Sequence, residues 1–225
     1  MKNIYIMISQ TQTGYAKVLR RVGGFYYNHA SISLHESLDP LYGFARPSQH
    51  EYMNAKLVKE SIDRYTLRQS DFVPVVVFRV PVTDEQYNQI DADIQRIMND
   101  KEYLYNYYSV LTHPLTGGFR VDKSYSCIEF IMLILNDIGI GEDRKSYDTT
   151  PDDLLDILAE YKFYEGNLLD YGEFEESDGS YFAPWSMNTV VSNIKGFHKV
   201  GVRTLTSAVV LDIFDDIVPF LEIFD

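Results

Sequence analysis

Alternation of apolar and polar side chains predicts strands in the first half of the chain. The candidate segments are residues 4–9, 29–34, 41–46 and 73–82. The turn-forming HESLDP between the second and third segments predicts a hairpin. The fourth segment is β-branched and nearly continuous, which is typical of a strand buried on both faces. Residues 47–71 show no clear period and are expected to be irregular, with one short strand.

Helices are predicted where apolar residues recur every three or four positions behind a capping residue. Thr83 and Gln86 form a capping-box pattern, and Ser126 and Glu129 form another. Residues 113–118 (HPLTGG) are predicted to be a loop, and the acidic residues 165–185 to be rich in turns. The predicted helices cover residues 14–22, 83–100, 127–138, 150–160 and 207–220.

This order of elements places the chain in the α+β class, because strands and helices do not alternate as in a parallel α/β sheet. We expect one domain over residues 1–164. Residues 165–225 are expected to form an acidic, partly helical extension that packs on this domain.

Composition narrows the choice of partner and compartment. The net charge of −13 disfavours nucleic acid as a partner, because phosphate binding needs a basic face. No apolar run reaches the roughly 20 residues that span a bilayer. The N-terminus has no secretory pattern, and one cysteine excludes an intramolecular disulfide. We therefore expect a cytoplasmic protein without a membrane span.

Cys127 is the only cysteine, and two interpretations of it stay open. With Ser126 as the N-cap, Cys127 is the first residue of a helix, where the helix dipole favours a thiolate. Its backbone N–H has no partner within the helix and is a candidate oxyanion donor. Alternatively, Cys127 is a small buried residue on an apolar helix.

His29 begins a strand on which Ser31 shares its face, while Ala30 and Ile32 face the core. Small residues on this face would let a helix approach, so that His29 could reach its N-terminus. The alternative is a histidine at the strand edge, bonded to water or backbone. The histidines lie at no metal-binding spacing, so we expect neither a metal site nor a cofactor. The other histidines are weaker candidates than His29 for the base that would act on Cys127, and they are His35, His50, His113 and His198.

Four segments together resemble one protein family. They read YYNHASISL, LYGFAR, YLYNYYSVL and YSCIEFIMLILNDIGI. Their order and spacing are similar to the permuted branch of the papain-like NlpC/P60 superfamily, which includes YiiX-like and lecithin:retinol acyltransferase-like proteins. In that branch the histidine strand precedes the cysteine helix. Ile128 stands where the family often has serine. The resemblance covers roughly residues 1–140 and implies a circularly permuted papain-like fold, with an antiparallel sheet packed on the cysteine-bearing helix.

The resemblance also implies roles for residues. His29 would activate Cys127, which would attack a carbonyl and form an acyl-enzyme. The family orients the imidazole through a polar group on the following strand, but LYGFAR offers no suitable acceptor. Gln49 and Glu51 are weak candidates for that third residue. Tyr125 is a candidate for the oxyanion site or cleft, with core packing as the alternative.

Three functional hypotheses follow. The first is a cysteine hydrolase (peptidase- or amidase-like) or an acyltransferase that acts on a peptide, amide, ester or lipid-like substrate. The second is a catalytically degenerate protein of the same fold that serves in binding. The third is a structural or interaction protein without an active site. The C-terminal helix could pack on the domain, cover the cleft or form a homodimer.

Overall fold

A computed structural model describes residues 1–11, 24–172, 174 and 177–221, with side chains through Ser207 in the last helix. The predicted helix at residues 14–22 lies outside the described residues. The strands are β1 Lys2–Ser9, β2 His29–Ser33, β3 Leu41–Ala45, β4 Lys56–Lys59, β5 Pro74–Val82, β6 Leu104–Tyr105, β7 Ser124–Tyr125 and β8 Lys162–Asn167. The α-helices are α1 Ile62–Thr66, α2 Asp84–Asn99, α3 Tyr107–Thr116, α4 Cys127–Asp137, α5 Pro151–Ile157, α6 Leu168–Tyr171 and α7 Met187–Leu221.

The main sheet has the strand order β4-β3-β2-β1-β5-β8, and every neighbouring pair in it is antiparallel. β6 and β7 form a separate parallel pair. The predicted α+β class with an antiparallel sheet is therefore confirmed. β3 pairs with β2 only opposite Ile32 and Ser33. The first half of β2, which begins at His29, is therefore not paired with β3 and can contact other parts of the chain.

Both faces of the sheet are covered by apolar side chains. Ile6, Ile32 and Phe44 pack on one face with residues of α2 and α4, whereas Met7 and Val77 belong to the cluster on the opposite face. The cysteine-bearing helix α4 contacts β2 and β3. Because this helix packs on the sheet, its N-terminus lies beside His29, the first residue of β2.

The structure differs from the sequence prediction in several segments. Residues 113–118, predicted to be a loop, are mostly the end of α3, which contains Pro114 and ends at Gly117 with φ of 68°. Pro114 lies near the end of this helix, so the hydrogen bond that its missing N–H removes is one of the last in the helix. β8 was not predicted, because it is a largely exposed edge strand without apolar alternation. The expected boundary between residues 164 and 165 falls inside β8.

The C-terminal helix α7 begins at Met187, twenty residues before the predicted start at residue 207. It packs closely on the loop between β3 and β4. A Cβ atom on Gly196 would lie 2.0 Å from the carbonyl oxygen of Met53. The Asn193 side chain accepts from the Met53 N–H and donates to the His50 carbonyl, both at 2.8 Å. α7 therefore holds this loop in place. None of the described helices has the length and apolar composition needed to cross a membrane.

The N-terminus of α4 has the predicted capping box. The Ser126 side chain accepts from the Glu129 N–H, and the Glu129 carboxyl accepts from the Ser126 N–H. Glu129 is only 2% exposed. Burial raises the pKa of Glu129 to about 7, because the Ser126 N–H and the Arg120 charge offset only part of the desolvation.

The raised pKa of Glu129 predicts a pH-dependent effect on stability. The folded protein binds the Glu129 proton more tightly than the unfolded chain, so this contribution is present below about pH 4.5 and is lost as pH rises through about 7. Glu129→Gln should therefore raise the free energy of unfolding at pH 8, by on the order of 3 kcal/mol. At pH 5 the gain should be much smaller. Urea denaturation of the wild-type protein and the variant at pH 5 and at pH 8 measures the gain in the free energy of unfolding at each pH.

Glu160→Gln, at an exposed position, is the control and should change neither value appreciably. The same gain for Glu129→Gln at pH 5 and pH 8 would contradict the predicted titration.

Candidate active site

The structure brings together the two residues at the centre of the sequence prediction. Cys127 is the first residue of α4, and His29 is the first residue of β2. The thiol and the imidazole are close enough for each to shift the pKa of the other through its charge and its hydrogen-bonding group. Both side chains are buried, with 4% of Cys127 and 2% of His29 exposed. The pair therefore forms where the helix N-terminus meets the end of the histidine strand.

The Cys127 sulfur lies among hydrogen-bond donors. Besides His29, it is hydrogen-bonded to the backbone N–H of Ala30 and lies 3.9 Å from the Tyr105 hydroxyl. Burial alone would raise the pKa of Cys127. The charge and hydrogen bond of His29, together with the Ala30 N–H and Tyr105, outweigh burial and hold this pKa below its ordinary value. The site thus favours the thiolate, which is the nucleophilic form.

Glu60, directly after β4, orients the imidazole. Its Oε1 lies 2.7 Å from His29 Nε2, and its Oε2 accepts from the Ser31 hydroxyl at 2.9 Å. The Tyr65 hydroxyl also donates to Oε2, and Arg64 Nη1 lies 3.3 Å from Oε1. Burial would raise the pKa of Glu60, but the His29 and Arg64 charges and these hydrogen bonds lower it to about 2.

An ionised Glu60 decides which nitrogen of His29 carries a proton. A carboxylate only accepts hydrogen bonds, so Nε2 must donate to it, and Nδ1 is the nitrogen left to exchange a proton with the thiol. Burial and the Arg64 charge lower the pKa of His29. The negative charges of Glu60 and Cys127 outweigh them and raise this pKa above its ordinary value. The arrangement therefore favours a thiolate–imidazolium pair.

Gly43 on β3 provides the space for the Glu60 carboxylate. A Cβ atom at this position would lie 2.5 Å from Glu60 Oε1 and 3.1 Å from Ser31 Oγ. The strand that follows the histidine strand, β3, therefore supplies no polar side chain at this point, and its glycine leaves room for the carboxylate. The polar group that orients His29 reaches it from the end of the next strand, β4.

The two weak candidates for the orienting residue have other contacts. The Gln49 side chain bonds His50, and Glu51 accepts from Asn54 at 3.0 Å. Glu60 occupies the orienting position instead. It was missed because its approach depends on the pairing of β3 with β4. A glycine inside a strand was the available signal, since it often marks close approach of another group.

Tyr125, the other candidate for the cleft, packs its ring against Phe44 and Tyr103. Among the described residues, those that line the clefts beside Cys127 do not include Tyr125. The tyrosine beside the thiol is Tyr105. The backbone of Cys127 lies at the helix start, as expected for an oxyanion donor.

Two clefts meet at Cys127. The apolar cleft, of about 310 Å³, is walled mainly by apolar side chains from α3 and the start of α4, with Tyr147 and Pro151 beyond them. The arginine cleft, of about 300 Å³, is lined by Arg46 and Arg64 together with Phe44 and Tyr52. The residues that line both clefts are Asn28, Tyr105, Leu111 and Cys127. The thiol therefore lies at the junction of two differently lined spaces.

Among the described residues, no group of three or more His, Cys, Asp or Glu side chains is placed to hold a metal ion. Searches of protein-family models, curated proteins and solved structures found no match to this chain. The functional conclusion therefore depends on the geometry of the site.

The space at Gly43 predicts the effect of filling it. Gly43→Ala should displace the Glu60 carboxylate from His29, so that burial and Arg64 lower the pKa of His29 and the thiolate–imidazolium pair weakens. Alkylation of Cys127 by iodoacetamide should then require higher pH. At pH 6 it should slow about tenfold for each unit by which the thiol pKa rises. The pH profile of alkylation measures this shift.

Gly172→Ala is a matched control, because a Cβ atom there meets nothing nearer than 4.0 Å and the backbone is extended. An alkylation profile that is unchanged in Gly43→Ala would contradict the proposed positioning of Glu60.

Proposed function

We propose that this protein is a cysteine hydrolase or acyltransferase that uses Cys127 as nucleophile, His29 as general acid and base, and Glu60 as the orienting residue. The observation that carries the proposal is the buried chain of contacts from the Cys127 thiol through His29 to the Glu60 carboxylate. A nucleophile, a base and a group that orients the base, each within hydrogen-bonding reach of the next, is the arrangement expected for covalent catalysis.

In the first half-reaction the Cys127 thiolate attacks the carbonyl carbon of an amide or ester. The carbonyl π electrons move to oxygen, and the Cys127 N–H and the Tyr105 hydroxyl are the candidate donors to that oxyanion. The protonated His29 then gives its Nδ1 proton to the leaving amine or alcohol. The carbon–heteroatom bond breaks and a thioester to Cys127 remains.

In the second half-reaction the now neutral His29 takes a proton from water or from another acceptor. This acceptor attacks the thioester, and the bond to sulfur breaks as the thiolate is restored. Glu60 keeps Nε2 protonated throughout, because its pKa of about 2 leaves it ionised at neutral pH. The choice between hydrolysis and acyl transfer depends on which acceptor enters the clefts.

The order of elements supports a circularly permuted papain-like arrangement within the NlpC/P60 superfamily. The histidine strand β2 precedes the cysteine helix α4 in the chain, and α4 packs on the antiparallel sheet. This is the order that the resemblance implies. Glu60 fills the third role from the end of β4, which is a departure from the position on the following strand that the resemblance implies.

A degenerate binding protein of the same fold is the alternative. Its main support was the absence of a third polar group beside the histidine, and Glu60 now occupies that position. The pKa of the Cys127 thiol, which His29 holds below its ordinary value, also favours a reactive group over an inert core residue. We therefore prefer the catalytic proposal. The expected cytoplasmic location and a homodimer through the C-terminal helix stay predictions.

The test of this proposal is transient acylation of Cys127. We expect p-nitrophenyl acetate to acetylate this residue, seen as a burst of p-nitrophenol and a one-acetyl mass increase, followed by slower turnover. Cys127→Ala should abolish both signals. His29→Ala should slow acylation by about 10²–10⁴-fold, as expected for loss of a general acid–base group.

His198→Ala replaces an exposed histidine on α7 and should leave acylation unchanged. A thiol that alkylates quickly but never forms or turns over an acyl-enzyme would favour the binding protein. A thiol that reacts only after unfolding would exclude an active site at Cys127.

A further inference from the structure

The arginine cleft differs in charge from the rest of the molecule. The chain has 33 acidic residues and a net charge of −13. None of the described residues that line this cleft is acidic, whereas Arg46 and Arg64 both line it. Glu60 compensates the Arg64 charge, and an imidazolium at His29 compensates a thiolate at Cys127, so Arg46 leaves this recess with a net positive charge. This small region is thus suited to an anion, within a protein that repels anions in general.

Arg64 has hydrogen-bonding capacity that the protein does not use. Its side chain is about 10% exposed, and Nη1 bonds the Glu60 carboxylate at 3.3 Å. Nε is buried and has no hydrogen-bond partner among the described residues. A buried guanidinium N–H without a partner is costly. A substrate carboxylate that contacts the exposed part of this guanidinium would give it a second acceptor beside Glu60 and so offset part of the cost of its burial.

Arg46 lies at the other side of the same cleft and is held in place. Nη1 donates to the Gln49 carbonyl at 3.1 Å, Nη2 lies 3.3 Å from the Tyr181 hydroxyl, and the guanidinium stacks over Tyr52 at 5.2 Å. These partners are uncharged, so they orient the guanidinium and leave its charge uncompensated. A fixed guanidinium that has no ion pair among the described residues is a suitable receptor for a carboxylate at the cleft wall.

We infer that the arginine cleft binds a carboxylate group of the substrate beside the scissile carbonyl, so that this protein acts on acidic acyl compounds such as acidic peptides or amides. The neighbouring apolar cleft would take an uncharged part of the same molecule. Arg64 also contacts Glu60 and lies in the electrostatic environment of Cys127. A bound carboxylate would therefore sit within the same charge network as the nucleophile. The inference rests on the proposed function, because it assumes that Cys127 is the reacting group.

The experiment compares a charged and a neutral alkylating reagent on the full chain at constant ionic strength. Iodoacetate carries a carboxylate, whereas iodoacetamide has nearly the same size and no charge. We expect the ratio of the iodoacetate rate to the iodoacetamide rate at Cys127 to exceed the ratio for glutathione by about tenfold or more, a difference of about 1.4 kcal/mol. The iodoacetate rate should also saturate with concentration, and succinate should slow alkylation where chloride does not.

Variants assign the effect to the cleft. Arg46→Gln should lower the ratio of the two rates at least threefold, and Arg46→Lys should restore part of it. Arg64→Lys, which keeps a cation beside Glu60, should also lower the ratio. Arg79→Gln is the control with the same change in charge. Arg79 is exposed on β5 and lies on the sheet face opposite to the one that α4 covers, so its replacement should leave the ratio unchanged.

The outcomes separate this inference from the proposed function. Fast alkylation by iodoacetamide with no preference for iodoacetate would overturn the carboxylate site and leave the cysteine mechanism intact. Slow alkylation by both reagents in the folded protein would overturn both. A preference for iodoacetate that persists in Arg46→Gln and in Arg64→Lys would show that the charge lies elsewhere and would overturn the assignment.

Discussion

The buried carboxylate of Glu60 is the group on which the rest of the site depends. Removing a charge from water is costly unless partners compensate for it, and Glu60, directly after β4, has partners from β2 and α1. His29 and Arg64 supply positive charge, while Ser31 and Tyr65 supply hydrogen bonds. Each partner is fixed by the same carboxylate that it stabilises. The orientation of His29 is therefore part of the packing of the sheet on α1.

Charge balance extends from Glu60 to Cys127, the proposed nucleophile. Arg64 compensates Glu60, and an imidazolium at His29 compensates a thiolate at Cys127, so that four buried groups add up to no net charge. The raised pKa of His29 and the lowered pKa of Cys127 are two descriptions of this coupling. The helix dipole at the start of α4 and the Ala30 N–H act in the same direction on the sulfur. Reactivity at Cys127 thus depends on residues from four elements of the fold.

The fold also shapes the space around the thiol. The loop between β3 and β4 carries Tyr52 and Met53 into the wall of the arginine cleft, and α7 fixes this loop through Gly196 and Asn193. The C-terminal helix therefore contributes to the cleft without contributing a residue that lines it among those described. In a strongly acidic chain, the absence of carboxylates from the described lining of this cleft leaves Arg46, whose described partners are uncharged, to set its charge.

The sequence by itself determined the local features. The capping boxes placed the starts of α2 and α4, and alternation located β1, β2 and β3. A nearly continuous β-branched run located β5, and the single cysteine at a helix start marked the candidate nucleophile. Only the tertiary structure decided which groups meet. Strand pairing carries Glu60 past Gly43 to His29, across a separation of 31 residues that no local pattern encodes. The edge strand β8 and the early start of α7 escaped prediction for the same reason, because pairing and packing, and not periodicity, stabilise them.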